Sequence, residues 1–505
     1  MNEQPLPSLT DAARYDAAVS LYESGQLADA LATLEPLLAA SEATRATRAQ
    51  ALNLAAACAM RLERKADAQR YWQGAIEADP QFAQAHYNLG VLLHGLERWA
   101  QAERCYRQAL ALRSGYLDAH HNLCALLKAC DRFADAEQAC RQALSALPDH
   151  PVLLHDLGTV LVELDRLTEA ETAYRKALAI DPTYADAHCK LGALLLSQGG
   201  FKEGWARFEA RYDARLTDRT ALPPNVSYPQ WRGEPLHGKA VLVWQEQGFG
   251  DMIQFGRYLA SLKALGAAWI TLACAPALHR LFKTLAMIDA VVDADAELAR
   301  APHDYWTLPL SIAHCLGTTL DSIAPAVYLK PDPALVDKWR HKLAALPGFK
   351  VGLVWKGHAG HGNDRHRSLP SLETLRPLLN VPGIGFVSLQ KGQAEAEARA
   401  IAAGPAILDA GPDIADFADS AALIAQLDLV VCVDTAVAHL AGSLGTPCWV
   451  MLPTIGLDWR WVRGRTDSPW YPATMRLYRQ AHAGEWASVV ERIANDCLEK
   501  STGRG

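Results

Sequence analysis

Small and bulky residues recur on a 34-residue lattice along residues 49–211, and few constraints on a chain are stronger. Gly90, Gly158 and Gly192 share one slot, with Ala56 and Cys124 filling the intermediate copies. Twelve residues further on stand Ala68, Ala102, Ala136, Ala170 and Gly204. The next slot is bulky, with Trp72, Tyr106, Tyr174 and Phe208, and Cys140 is its exception. Ala75, Ala109, Ala143 and Ala177 follow, and Pro80, Pro148 and Pro182 close their copies. A unit this short cannot bury its own apolar face, so the copies must stack. The small residues let two antiparallel helices approach closely, and the aromatic fills the gap to the next pair. Residues 49–184 hold four full copies and 185–211 a degenerate fifth. Residues 12–48, around Gly25 and Ala30, read as an irregular earlier copy with a longer second helix.

This lattice is that of the tetratricopeptide repeat, an α-solenoid whose concave surface binds extended peptide or another protein. The sixth position of each copy faces that surface and reads Asn88, Asn122, Asp156 and Lys190. In the repeat superhelix of O-GlcNAc transferase, an asparagine ladder at this position holds the acceptor backbone. The likeness implies that Asn88 and Asn122 are acceptor-binding rungs. The repeats could equally serve oligomerisation.

At 505 residues the chain exceeds one hydrophobic core. A net charge of −7 argues against a nucleic-acid partner, which calls for a basic footprint. The 11 cysteines are scattered without a CxxC pair, as expected of reduced thiols rather than a disulfide framework. The N-terminus lacks the basic and apolar regions of a secretory signal, and no apolar run has the length of a membrane span. A cytoplasmic location is the expectation.

A proline-containing stretch at 221–239 separates the repeats from the rest of the chain, which places a boundary near residue 218. Residues 239–245 read as a strand, followed by a turn with Gly248, Gly250 and Asp251 and an amphipathic helix over 252–265. Short strands are expected at 269–274, 289–292 and 303–308. A second half begins with a strand at 350–355, which ends at Lys356 and a polar loop, 357–370. A further strand at 385–390 precedes Lys391. Near the end lies LDLVVCVDTAVAHLAGSLGTPCWVMLP (427–453): a buried strand, a helix starting at Asp434 and Thr435 and stopped by Gly445, and a second buried strand. The N–H groups of that helix's first turn, the Thr435 hydroxyl and the open mouth left by Ala436 make an anion site. The plan is an α-solenoid over 1–218, then two doubly wound Rossmann-like halves, 219–340 on the acceptor side and 341–505 for nucleotide-sugar binding. Such tandem halves form the GT-B architecture.

Five segments, at 246–259, 351–370, 388–392, 416–453 and 458–480, resemble bacterial proteins that fuse tetratricopeptide repeats to a domain similar to glycosyltransferase family 9, the heptosyltransferases. The resemblance implies inverting, metal-independent transfer from a nucleoside diphosphate sugar to an acceptor hydroxyl, with no cofactor. It casts Asp251 as the general base and Asp434, Thr435 and His439 as the diphosphate-binding motif. The leaving group gains negative charge as its bond breaks, so cations are required beside it. Lys356, Arg365, Arg367 and Lys391 stand at strand ends or in the loop after one and are the candidates. Histidines 358, 361 and 366 fit no metal-ligand spacing. Trp459, Trp461 and Trp470 suit packing better than stacking on a ligand. Heptosyltransferases lack the repeats, and the repeats point here to a protein acceptor. Met252 also replaces the small polar residue that usually follows the aspartate.

Overall fold

The computed structural model describes residues 10–39, 44–217, 219, 221–294, 296, 301–401 and 407–503, which divide into two compact units at Ala187 and His188. Among them, twelve helices run from Asp11–Glu23 to Phe201–Phe208. The lattice is explained by contact. A β-carbon on Gly90 would lie 2.8 Å from the Tyr106 ring, and one on Gly158 would lie 2.6 Å from Tyr174. Where Cys124 replaces the glycine, Cys140 replaces the aromatic, and their Sγ atoms stand 3.0 Å apart. Both exceptions to the lattice thus belong to one contact. In the irregular first copy the second helix is Leu27–Ala39, and the expected lengthening falls on residues 40–43, outside the described residues.

Each hairpin turns through a left-handed residue: Glu63, Glu97, Asp131 and Asp165, with φ of 58°, 57°, 58° and 57°. At the first and last such turns the residues are Gly25 and Gly199, at φ of 80° and 83°, where no β-carbon is strained. Glu97 is exposed, so Glu97→Gly removes strain at little other cost. It is expected to stabilise the repeats by about 0.5–1 kcal/mol, read by urea or thermal unfolding. A loss of stability would contradict this reading.

The second unit begins one helix pair before the boundary expected near residue 218, a position outside the described residues. The cause is apolar burial. Phe201, Trp205 and Phe208 join the core of the α/β fold, where Trp205 packs edge-on against Phe255 and Trp459 and its indole N–H donates to the Thr318 carbonyl at 3.1 Å. The last repeat is therefore built into the α/β unit.

That unit holds two parallel sheets among the described residues. The first contains β1 (Ala240–Trp244), β2 (Trp269–Ala273), β3 (Ala290–Val292) and β4 (Tyr305–Thr307) in the order β3-β2-β1-β4. The second contains β5 (Phe349–Val354), β6 (Ile384–Ser388), β7 (Ile407–Asp409), β8 (Leu429–Val433), β9 (Cys448–Leu452) and β10 (Met475–Arg479) in the order β10-β9-β8-β5-β6-β7. Strand order reverses between β1 and β4 and between β5 and β8, and ligands bind beyond the carboxyl ends of strands at such points. The helix expected over 252–265 is interrupted: Phe249–Phe255 passes through a 3-10 turn, Gly256–Tyr258, into Leu259–Ala264. Gly256 explains the close approach there, since a β-carbon on it would lie 2.6 Å from the Tyr328 hydroxyl.

Candidate active site

The Gly-rich turn after β1 places Asp251 in the first turn of Phe249–Phe255. Its Oδ2 accepts the Gly248 N–H at 2.8 Å, and its Oδ1 pairs with Nη2 of Arg460 from the second half. Burial pushes the Asp251 pKa above the ordinary carboxylate value, with Arg460 pulling against it. Gly250 sets the approach of the two halves. A β-carbon there would lie 3.0 Å from the His439 ring and 3.4 Å from the Ala436 Cα. The turn carrying Asp251 is thereby seated on the N-terminus of Ala436–Leu444. A bare backbone is what allows it.

That helix lies between β8 and β9 and is ended by Gly445 at φ 81°. Thr435 is its N-cap, yet the hydroxyl makes no capping bond and is buried without a partner among the described residues. Asp434, at the end of β8, has its pKa pushed up to about 6, first by burial and then by the nearby charge of Asp458, with Arg367 and Arg460 opposing. His439 is buried, stacks on Trp461 at 5.3 Å and 12°, and places Nδ1 3.2 Å from the Tyr471 hydroxyl. Burial lowers its pKa to about 3, with Arg460 adding to the effect. The ring is neutral at physiological pH, so it offers a hydrogen bond rather than a charge.

The cations divide into two groups. Arg367 lies 3.4 Å from Asp364, and its charge is felt at Asp434. Lys356 pairs with Glu397 at 3.0 Å, and Lys391 donates to the Gly411 carbonyl at 2.7 Å with Glu395 at 3.3 Å, so both are held beside the β6–β7 side of the sheet. Arg365 is exposed and donates to His366 Nε2 at 2.9 Å. Among the described residues, no group of three His, Cys, Asp or Glu side chains could hold a metal ion. Asp251, Asp434, Thr435, Ala436, His439 and Arg367 thus gather where the halves meet, and Lys356 and Lys391 are held by Glu397, Glu395 and Gly411.

The residue not singled out in the sequence is Arg460. Its side chain is 6% exposed, its Nη1 lies 3.0 and 2.9 Å from the Asp458 carboxylate, and its guanidinium stacks 4.5 Å over Trp459. The aspartate two residues before it and the flanking tryptophans are the local signs of a fixed, buried arginine. Trp459, Trp461 and Trp470 themselves belong to the core.

In the repeats, the sixth-position side chains bond back to the fifth position of the preceding copy. Asn88 donates to Asn53 at 2.9 Å, Asn122 to the Tyr87 hydroxyl at 3.0 Å, and Asp156 accepts from His121 at 2.7 Å. The Asn88 oxygen also accepts from Gln84 at 3.2 Å. The ladder is tied together before any peptide arrives.

Comparison with known proteins agrees with this organisation. Tetratricopeptide repeat models match residues 83–116 and 158–199, and the model for glycosyltransferase family 9 (heptosyltransferase) matches residues 384–451. Protein FlbA of Caulobacter vibrioides is 32% identical over 335 residues, covering 60% of this chain and 53% of its own length. The chain therefore spans about half the length of the curated relative it matches. Among solved structures, MamA (residues 41 to the end) from Desulfovibrio magneticus is 20% identical with a TM-score of 0.29, covering 32% of this chain and 91% of its own. YrrB, described as a TPR protein with an unusual peptide-binding site, is 20% identical with a TM-score of 0.30, covering 35% and 90%. No helix among the described residues is long and apolar enough to cross a membrane. The chain is a fusion of tetratricopeptide repeats with a glycosyltransferase family 9 (heptosyltransferase)-like domain.

Proposed function

We propose that this chain is an inverting, metal-independent glycosyltransferase of GT-B architecture. It moves a sugar from a nucleoside diphosphate sugar to the hydroxyl of a protein acceptor held by the repeats, in the cytoplasm. The observation that carries this reading is the seating of Asp251 against the N-terminus of Ala436–Leu444 through Gly250. A carboxylate and the first turn of a helix are thereby brought together, one suited to take a proton and the other to hold a diphosphate. Asp251 removes the acceptor proton as the hydroxyl oxygen attacks C1 of the sugar. The C1–O bond to the diphosphate breaks, and the leaving group departs with the electron pair. Helix N–H groups, the Thr435 hydroxyl, neutral His439 and the arginine charges of 367 and 460 meet its growing negative charge. Lys356, Lys391 and Arg365 complete the donor side if their present partners yield to it, and Asn88 and Asn122 serve the acceptor.

The test is release of nucleoside diphosphate from a panel of sugar nucleotides in the presence of EDTA, with the product's anomeric configuration read by NMR. The expected result is chelator-insensitive turnover with inversion. Turnover that stops with EDTA and returns with magnesium, or a retained configuration, would contradict the mechanism.

A further inference from the structure

Arg460 is placed against the group that must act as the base. Its Nη2 pairs with Oδ1 of Asp251 and lies 3.2 Å from the Gln247 carboxamide oxygen, and Oδ2 of Asp251 is taken by the Gly248 N–H. Both carboxylate oxygens are engaged, and while Arg460 holds Oδ1 neither is open to an acceptor's proton. In this arrangement the base is held in a form unsuited to catalysis. The other nitrogens of Arg460 are arranged differently. Nη1 is anchored on Asp458, while Nε is buried with no partner among the described residues. The guanidinium is thus hinged on one carboxylate, clamped to the candidate base by one nitrogen, and left with a donor unused. Its charge is also felt at Asp434 and His439, which flank the N-terminus of Ala436–Leu444.

We propose that Arg460 is a ligand of the donor's β-phosphate, the one that bears the sugar, and that its transfer from Asp251 to that phosphate is what frees the base. The inference rests on the donor-site reading under Proposed function. A guanidinium can grip two oxygens of the sugar-linked β-phosphate with parallel N–H donors, where Asp251 offers it one carboxylate oxygen, and the grip strengthens as that phosphate gains charge on leaving. Pivoting about Asp458, Arg460 exchanges one partner for the other without leaving the site. The donor must then bind before the acceptor can be deprotonated, and the charge that stabilises the leaving group is the same charge that was blocking the base. Arg460 also reports whether a diphosphate is present, since a nucleoside monophosphate carries no β-phosphate for it to reach.

Calorimetric titration of the full-length chain tests this, using UDP, GDP, ADP and CDP, each beside its monophosphate. Arg460→Gln is expected to weaken the preferred diphosphate by about tenfold or more, with the monophosphate little changed. Asp251→Asn is expected to tighten the diphosphate several-fold, because it removes the competitor for Arg460. In the double variant that gain disappears. A structural ion pair would not behave in this way, since removing either partner would leave nucleotide affinity unchanged or lower. Thermal melts of each variant, with Arg460→Lys as the charge-keeping control, separate misfolding from lost contact. If the wild-type chain binds a diphosphate and the single variants bind it equally well, the exchange is overturned and the donor site stands. If the wild-type chain binds none of the four, the donor-site reading fails and takes the exchange with it.

Discussion

Asp251→Asn is expected to lower transfer by about 10²–10⁴-fold while leaving nucleotide binding in place. The amide is isosteric and keeps the bond to the Gly248 N–H, so the turn and its seat on Ala436–Leu444 survive. What it loses is the ability to take a proton. The pH profile supplies a second readout. Catalysis needs the carboxylate, and burial raises its pKa. The acid limb of kcat/KM therefore falls away at a pH above the ordinary aspartate range as pH drops, and Asp251→Asn has no such limb. Steady-state transfer assays across pH 4–8 check both, and an unaffected kcat in the variant would remove Asp251 from the mechanism.

Arg211→Ala is expected to destabilise the second unit by about 3–5 kcal/mol, because it breaks a buried charge pair on one side only. The Arg211 and Glu246 side chains are 1% and 0% exposed. Arg211 Nε donates to Glu246 at 2.8 Å, Nη1 to Glu209 at 2.6 Å and Nη2 to Ser311 at 2.9 Å. Removing the guanidinium strands the Glu246 carboxylate, which is cut off from water, and takes a partner from half-buried Glu209. The loss should shrink in Arg211→Met combined with Glu246→Gln, which removes both buried charges. Urea unfolding followed by tryptophan fluorescence measures it, since several tryptophans lie in this core. A change near zero would mean that the pair is solvated and that the last repeat is only loosely joined to the α/β fold. Glu246 also stands two residues before Gly248, so the same network fixes the root of the turn that carries Asp251.

The repeats and the β8–β9 unit were legible in the sequence because their signals are local. A 34-residue lattice, a buried β-branched run and a glycine at a left-handed helix end each declare themselves within a few turns of chain. The clustering of Asp251 with Asp434 and His439 followed from the resemblance and from the rule that ligands sit beyond parallel strand ends. Other features had no local sign. Arg460 meets Asp251 across 209 residues, and no spacing encodes such a pairing. Phe201, Trp205 and Phe208 satisfy the repeat lattice and the α/β core equally well, so the sequence could not say which of them they serve. Lys356 and Lys391 stand at strand ends as cleft residues would, yet Glu397 and Glu395 hold them, and those partners are set by tertiary packing. The asparagine rungs bond to the preceding copy, a contact visible only once the copies are stacked.

Binding of a nucleoside diphosphate at the N-terminus of Ala436–Leu444 is the claim on which the functional account depends. Isothermal calorimetry of the full-length chain with UDP, GDP, ADP and CDP, repeated with Thr435→Trp, tests it most directly. The account predicts that one nucleotide binds in the micromolar range and that the indole, filling the mouth of the helix, abolishes binding without lowering the melting temperature. Binding of none of the four, or binding that persists unchanged in Thr435→Trp, would contradict it.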